Sequence, residues 1–164
     1  MSRFGRPTNR GGVGQSESRR DETILERWPD YLRDGYFDAS GTLRIEYVSR
    51  EKVEPLVRAM CDDRGGLTTH QVRRYFGHCR ALETRLKASG AAWNKVWPEV
   101  KKLDVAAADG AAKQPQPKIP PLFHDFIRRN VAAIKTQKDF VEGFLPHFEA
   151  LVGFGQAHFR KDRN

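Results

Sequence analysis

One segment of this chain specifies its own helix, through both its start signal and its apolar pattern. Thr68 and Gln71 form a capping box, and Leu67 with Val72 supplies the hydrophobic staple that flanks such a start. The apolar residues that follow recur every three or four positions: Val72, Tyr75, Phe76, Cys79, Leu82 and Leu86. A Ser-Gly pair at 89–90 stops the helix. Because a helix with one apolar face has to bury that face, the pattern favours an all-α bundle.

The rest of the chain shows the same helical periodicity. The further predicted helices cover 21–32, 49–62, 93–96, 98–107, 122–134 and 139–152. Pro29 is expected to place a kink or a break in the second half of the first of these, and Pro146 to bend the last. Thr136 with Asp139 gives the last one a box-like start. Residues 35–48 are predicted to be extended around a Ser-Gly turn, and 109–121 to be an irregular linker. With the short helical piece at 93–96 left out of the count, the sum is a compact all-α bundle of about five or six helices.

The domain organisation follows from where apolar residues are missing. Residues 1–20 are mostly Gly, Ser and Arg, so we expect a disordered basic tail there. Residues 21–159 form a single helical domain, and 160–164 a solvated basic C-terminal tail. A length of 164 residues suits one domain, and a hydrophobic fraction of 38% predicts a thin core.

The charge balance points to a polyanionic partner. Lys and Arg outnumber Asp and Glu by 29 to 21, which gives a formal net charge of +8. Each cation placed beside a phosphate releases a condensed counterion, so such a surplus favours nucleic acid. No apolar run reaches the length of about 20 residues that spans a bilayer, so we expect no membrane association. The two cysteines lack disulfide-rich spacing, which indicates free thiols and a cytoplasmic location.

Active-site motifs are missing from the sequence. There is no P-loop, no nucleophile elbow and no metalloprotease helix motif, so we expect no catalysis, no cofactor and no metal. Cys61, His70, His78 and Cys79 match no zinc-finger spacing. A small histidine-dependent ribonuclease that uses His70 or His78 stays open as the alternative function.

The Thr68 helix carries a basic band beside its apolar face. At 100° per residue, one band about 40° wide takes in Arg73, Gly77, Arg80, Thr84 and Lys87. Arginines separated by small residues let a phosphodiester backbone lie close, and Thr84 can donate a further hydrogen bond. Arg74 lies on the opposite flank. A solvated face with Glu83 as an ion-pair partner explains the band equally well, so the pattern leaves both interpretations open.

A second group of cations and a pair of tryptophans are less specific. Arg128, Arg129, Lys135 and Lys138 surround the junction of the last two predicted helices. They could extend a phosphate track, or could complement the helix macrodipole. Trp93 and Trp97 share a helix face, where core or subunit contacts are favoured over base stacking.

Three segments of the chain carry a family resemblance: YVSREKVEPL at 47–56, GLTTHQVRRYF at 66–76 and DFVEGFLPHFEALV at 139–152. They resemble the small subunits of the type III-A (Csm) CRISPR effector complex. The second is the most specific, and the likeness extends over about 24–158. The Arg- and Gly-rich start and the segment 93–121 depart from the family pattern.

The resemblance implies a non-catalytic, all-helical subunit of which several copies stack along the guide–target duplex. Its partners would be target RNA paired with guide crRNA, other copies of itself, and the backbone and large subunits of the complex. Carried over by position, the family's basic residues fall on Arg73, Arg74 and Arg80, and on Lys135 and Lys138 before the final helix.

A third hypothesis makes the Thr68 helix the recognition helix of a DNA-binding regulator. The turn at 62–66 permits the preceding helix that this arrangement needs. Arg73 and Arg80 have no Asn or Gln beside them on their band for reading adenine, so the sequence favours this hypothesis least.

Overall fold

The computed structural model describes residues 21–63 and 65–161, and in these ranges the protein is an all-α bundle without a named strand. The α-helices are α1 (Ile24–Arg27), α2 (Arg50–Asp62), α3 (Thr69–Ala88), α4 (Trp93–Ala112), α5 (Pro121–Ala133) and α6 (Leu145–Gly155). A 3-10 turn covers Ile45–Tyr47, and a π-helical turn at Asp139–Phe144 runs directly into α6. The predicted fold class is confirmed. The tail predicted at 1–20 lies outside the described residues.

Helices α5 and α6 lie at the centre of the bundle. Helix α4 packs on α5, α2 packs on α6, and α3 contacts both α4 and α6. Five fully buried phenylalanines fill the middle: Phe123, Phe126, Phe140, Phe144 and Phe148. Burying each such ring stabilises the fold by about 1.5–3 kcal/mol before cavity effects are counted. The core therefore contains several large aromatic side chains, although the hydrophobic fraction of the whole chain is only 38%.

The start of α3 is built as its sequence predicts. The Gln71 backbone N–H donates to Thr68 Oγ1 at 3.2 Å, and the Thr68 N–H donates to Gln71 Oε1 at 3.0 Å. Leu67 and Val72 on either side are fully buried. The reciprocal bonds satisfy two helix-end donors and fix where the exposed face of α3 begins.

The first predicted helix is wrong in length. Only Ile24–Arg27 is helical, whereas the pattern predicted 21–32. The chain leaves helical geometry at Trp28, because the residue before a proline, here Pro29, is sterically disfavoured in the α region. Trp28 and Tyr31 are nevertheless buried, so the apolar spacing reflected core contacts made from a turn.

The predicted break before Pro98 is also wrong, since α4 runs unbroken from Trp93 to Ala112. Proline removes one hydrogen bond in the second turn, and packing of α4 against α3 and α5 outweighs that loss. The predicted linker therefore begins after Ala112. Gly110 is buried in the last turn, where an added Cβ would lie 3.4 Å from the Tyr75 hydroxyl oxygen.

The predicted start of the last helix is confirmed. The Asp139 N–H donates to Thr136 Oγ1 at 3.1 Å, and the Thr136 N–H donates back to Asp139 Oδ2 at 3.1 Å. Pro146 is the second residue of α6, two positions after the last residue of the π-helical turn. Such turns occur where the regular α pattern is interrupted, and a proline that lacks an N–H is one such interruption.

The C-terminal segment is attached to the start of α3. The Arg160 N–H donates to the Leu67 carbonyl at 3.0 Å, and the Thr69 N–H donates to the Arg160 carbonyl at 3.2 Å. Arg160 Nε also donates to the Cys61 carbonyl at 3.0 Å. Arg160, which we assigned to the solvated tail, is thus part of the folded domain. Residues 162–164 lie outside the described residues.

Candidate nucleic-acid interface

The cations on the exposed face of α3 differ in whether they are already paired within the protein. Arg73 and Arg74, in the second turn, are both exposed. Within the described residues, neither has an ion-pair or hydrogen-bond partner for its guanidinium. Since consecutive helix residues differ by 100°, the two side chains leave α3 on different sides. Together with Arg85, which is likewise exposed and has no ion-pair partner among the described residues, they are the cations of α3 most available to an incoming anion.

Arg80 is bound within the protein. Its guanidinium lies 2.9 Å from Glu83 and 3.2 Å from Glu149 on α6, and it also stacks over the Phe76 ring at 4.9 Å. Burial acts against ionisation of Glu83, yet hydrogen bonds from Arg80 and Lys87 hold the pKa of this carboxyl below its ordinary value. The carboxylate therefore remains a charged competitor for the two cations.

Thr84 and Lys87 have local partners as well. The Thr84 hydroxyl donates to the Arg80 carbonyl at 3.0 Å, which uses the proton it would give to a phosphate. Lys87 Nζ lies 3.1 Å from Glu83. The ion pairing with Glu83, one of the two interpretations that the sequence allows, is thus present in the C-terminal half of the band. A phosphate would have to displace carboxylates there, whereas it would not at Arg73.

The second basic group lies in the C-terminal part of the sequence, after α3 and α4, and consists of Arg128, Arg129, Lys135 and Lys138. Lys138 donates to the Gly41 carbonyl at 3.0 Å and lies over the Phe37 ring at 4.5 Å, so it secures the turn at 37–43. Lys135 is exposed, and among the described residues its ammonium has no partner. Arg128 and Arg129 both pair with the buried carboxylate of Asp125, at 2.7 and 2.8 Å.

The two tryptophans divide between core and surface. Their rings stack with centroids 6.2 Å apart, and Trp93 packs against Phe140 at 5.9 Å. Trp97 is 36% exposed and carries Lys101 over its ring at 5.6 Å. Trp93 thus has the core role that the sequence favours, and Trp97 forms the surface end of the stack.

A groove of about 710 Å³ lies between α3, α4 and the segment after α4. Arg74, Tyr75 and His78 line it from α3, Leu103 from α4 and Lys118 from the following segment. Sequence reasoning missed this groove and Lys118, because 113–120 gives no periodic signal that shows where it folds back. Besides its part in the capping box, the Gln71 side-chain amide donates to the Lys118 carbonyl.

The histidines are distributed over unrelated environments. His70 and His78 both line the groove, but they are eight residues apart, which places them about 12 Å apart along the helix axis. That separation does not suit an acid and a base acting on one phosphodiester. His147 is buried, and desolvation lowers its pKa to about 4, so it is neutral at physiological pH. His158 lies 3.1 Å from Glu54.

The cysteines and carboxylates that the structure describes show no metal-binding arrangement. Cys61 and Cys79 are free thiols, and burial raises their pKa values to about 11 and about 12. Within residues 21–63 and 65–161, no three His, Cys, Asp or Glu side chains gather closely enough to hold a metal ion. In the same part of the chain, no helix is both long and apolar enough to cross a membrane.

These features define a class of protein: a small helical protein whose long, well-capped helix presents arginines that have no ion-pair partner among the described residues. The family model described as Csm2 Type III-A matches residues 56–161, about two thirds of the chain. The chain therefore belongs to the Csm2 Type III-A family, and is a small subunit of the type III-A Csm CRISPR complex. No curated protein and no solved structure matches it. The matched region takes in all of α3 to α6 and both basic groups.

Proposed function

We propose that this subunit is non-catalytic and holds target RNA by its phosphates, with several copies stacked along the guide–target duplex in the cytoplasm. The observation that carries the proposal is the exposed pair Arg73 and Arg74, which have no anionic partner in the described residues. Family membership supports the setting, because the complex is the assembly in which such a subunit works.

Free guanidinium groups favour phosphate binding on energetic grounds. Arg73 and Arg74 can each bind a phosphate in a bidentate way without first giving up a carboxylate. Arg80 and Lys87 have to release Glu83, and Thr84 has to release a backbone carbonyl. We therefore assign the first contact to Arg73 and Arg74, and a weaker extension of the track to Arg80, Thr84 and Lys87. Phosphate contacts do not read sequence, so binding should be indifferent to it.

Lys135 and Lys138 form a separate part of the proposal. The Lys135 ammonium has no partner among the described residues, so it can bind a phosphate directly. Lys138 already binds the Gly41 carbonyl, so its contribution to RNA binding should be smaller than that of Lys135. The backbone and large subunits of the complex, and neighbouring copies of this chain, are the proposed protein partners.

Replacing Arg73 and Arg74 by alanine should weaken binding of single-stranded RNA about ten-fold at physiological salt. Two lost phosphate contacts should reduce the slope of log K against log salt by about 1.4. The measurement is a salt series on two RNAs of unrelated sequence, for the chain alone and for the reconstituted complex.

The control for that experiment removes two exposed cations elsewhere, Arg33 and Lys95, and should leave the slope nearly unchanged. Equal losses in both double variants would mean that only net charge matters. Full binding by the Arg73 and Arg74 variant would show that these arginines do not contact RNA.

Replacing Glu149 by glutamine should strengthen RNA binding two- to three-fold. The change removes a carboxylate that lies 3.2 Å from Arg80 and frees part of that guanidinium for phosphate. The effect is small because exposed ion pairs contribute at most about 1 kcal/mol. The same substitution at Glu51, on α2, is the control. Unchanged affinity in Glu149→Gln would place the RNA away from Arg80.

The purified chain should not cleave RNA. This separates the proposal from the histidine-dependent ribonuclease, whose candidate residues His70 and His78 line the groove. Labelled RNA is incubated with the chain and its products are separated by size. Cleavage that disappears in His70→Ala or His78→Ala would establish the ribonuclease instead.

A further inference from the structure

The groove between α3 and α4 combines an apolar floor with a cationic rim. Leu103 and Ile119 form the floor and are 3% and 2% exposed. The Tyr75 ring stands beside them, and its hydroxyl donates to the Ala106 carbonyl at 3.3 Å, which holds the ring in place. A volume of about 710 Å³ is within the range of small-molecule sites.

The anions of the groove are already neutralised, and two of its cations are not. Glu99 pairs with Lys102 at 3.0 Å, and Asp109 pairs with Lys113 at 3.2 Å. Arg74 and Lys118 also line the groove, and among the described residues neither has an ion-pair partner. The rim therefore offers two unpaired cations above an apolar surface.

The backbone that carries Lys118 is fixed before any ligand arrives. Its N–H donates to the Gly110 carbonyl at 2.8 Å, and its carbonyl accepts the side-chain amide of Gln71. Buried Ile119 anchors the next position. A ligand therefore has to order the lysine side chain only, and such preorganisation lowers the cost of binding.

We infer that this groove binds a single nucleotide unit, with the base on the floor of Leu103, Ile119 and Tyr75 and the phosphate between Arg74 and Lys118. A flat aromatic base suits the floor, because bases stack on aromatic and apolar side chains irrespective of their sequence. The phosphate suits two cations that lack carboxylate partners. A free nucleoside monophosphate and a nucleotide within an RNA strand share this chemistry.

The inference deepens the proposed RNA role, because Arg74 belongs both to the exposed face of α3 and to the groove. A strand whose phosphates follow α3 could place one base in the groove. The groove nevertheless has residues of its own, Lys118 and Ala106, that are not part of the phosphate track. These two residues allow the groove to be tested separately.

The test is a titration of the full chain with adenosine monophosphate, with inorganic phosphate and with a short single-stranded RNA. Ala106 is exposed on the groove wall, so Ala106→Phe fills the space for the base and keeps every charge, and Ala106→Ser is the matched control. Lys118→Gln removes a rim cation. We expect Ala106→Phe and Lys118→Gln each to weaken adenosine monophosphate binding about ten-fold, with Ala106→Ser unchanged and circular dichroism confirming that all variants fold.

The outcomes separate the two sources of nucleotide. If the two variants weaken the binding of adenosine monophosphate but not of the RNA, the ligand of the groove is a free nucleotide. If they weaken the binding of both, the groove takes a nucleotide of the RNA strand. If Ala106→Phe weakens neither, or if inorganic phosphate binds as tightly as adenosine monophosphate, the inference is overturned. Arg73→Ala, which lies outside the groove, reports on the phosphate track, so either proposal can fail while the other stands.

Discussion

Replacing Asn130 by alanine is expected to lower the free energy of unfolding by about 3 kcal/mol, because one amide serves three buried partners. Asn130 is fully buried on α5. Its Nδ2 donates to the Tyr31 hydroxyl and to the Phe126 carbonyl, both at 2.8 Å, and its Oδ1 accepts from the Tyr36 hydroxyl at 2.8 Å. In the alanine variant, these three groups lose the amide as their hydrogen-bond partner, in a site that water does not reach.

Urea unfolding of the parent and the variant measures this loss. Asn94→Ala, at an exposed position on α4, is the matched control and should change the free energy of unfolding by less than about 0.5 kcal/mol. Tyr36→Phe removes one donor from the same network, so the double variant should lose less than the sum of the singles. A loss below about 1 kcal/mol in Asn130→Ala would mean that the network is dispensable for stability.

The capping signals and apolar stripes made the helices predictable from the sequence. Thr68 with Gln71 and Thr136 with Asp139 form the expected boxes, because those bonds depend only on residues three apart. The prolines were harder to judge. Pro29 ends a one-turn helix that little packing supports, whereas the helix that contains Pro98 packs against both α3 and α5. The local sequence around each proline does not contain that difference.

The candidate site could be predicted only in part, for the same reason. The positions of Arg73 and Arg74 on the exposed face follow from helix periodicity. The pairing of Arg80 with Glu149 joins residues 69 positions apart, and the groove depends on how 113–120 folds back onto α3. Such contacts are set by tertiary packing, which no spacing rule on a single helix gives.

A backbone carbonyl fixes which groups donate and which accept in the buried hydrogen-bond network around His147. His147 Nδ1 lies 2.5 Å from the Tyr47 carbonyl oxygen, which can only accept, so Nδ1 carries the proton. His147 Nε2 must then accept from the Tyr31 hydroxyl at 2.7 Å. That hydroxyl in turn accepts from Asn130, and each group has one role in the chain of bonds.

Protonating His147 would break this order. A second N–H at Nε2 would face the Tyr31 proton, and burial raises the pKa of Tyr31 well above its ordinary value, so that hydroxyl stays protonated. The positive charge would also lose its hydration, because the His147 side chain is fully buried. Desolvation therefore lowers the pKa of His147 from 6.5 to about 4.

The protein should consequently lose stability in mild acid. Below pH 6.5 the unfolded chain takes up a proton on this histidine that the native state refuses, down to a pH of about 4. The free energy of unfolding should fall by roughly 3 kcal/mol in total across that window, and by roughly 1.5 kcal/mol between pH 6.5 and 5. Burial acts against ionisation of Asp125, yet hydrogen bonds from Arg128, the Ile24 N–H and Arg129 hold the pKa of this carboxyl below 3.8. The stability that Asp125 contributes is therefore lost only at lower pH.

Urea unfolding at several pH values checks the size of this effect, and His147→Gln assigns it. Glutamine keeps a donor and an acceptor but does not titrate. The free energy of unfolding of the variant should therefore depend less on pH between 6.5 and 5 than that of the parent, whatever its value at pH 7. His78→Gln, at an exposed position, should retain the parent slope. The imidazole proton resonance of His147 should stay at its neutral position down to pH 5. A resonance that titrates near 6.5 would show that water or an anion reaches the network, and that this histidine does not set the acid limit of the fold.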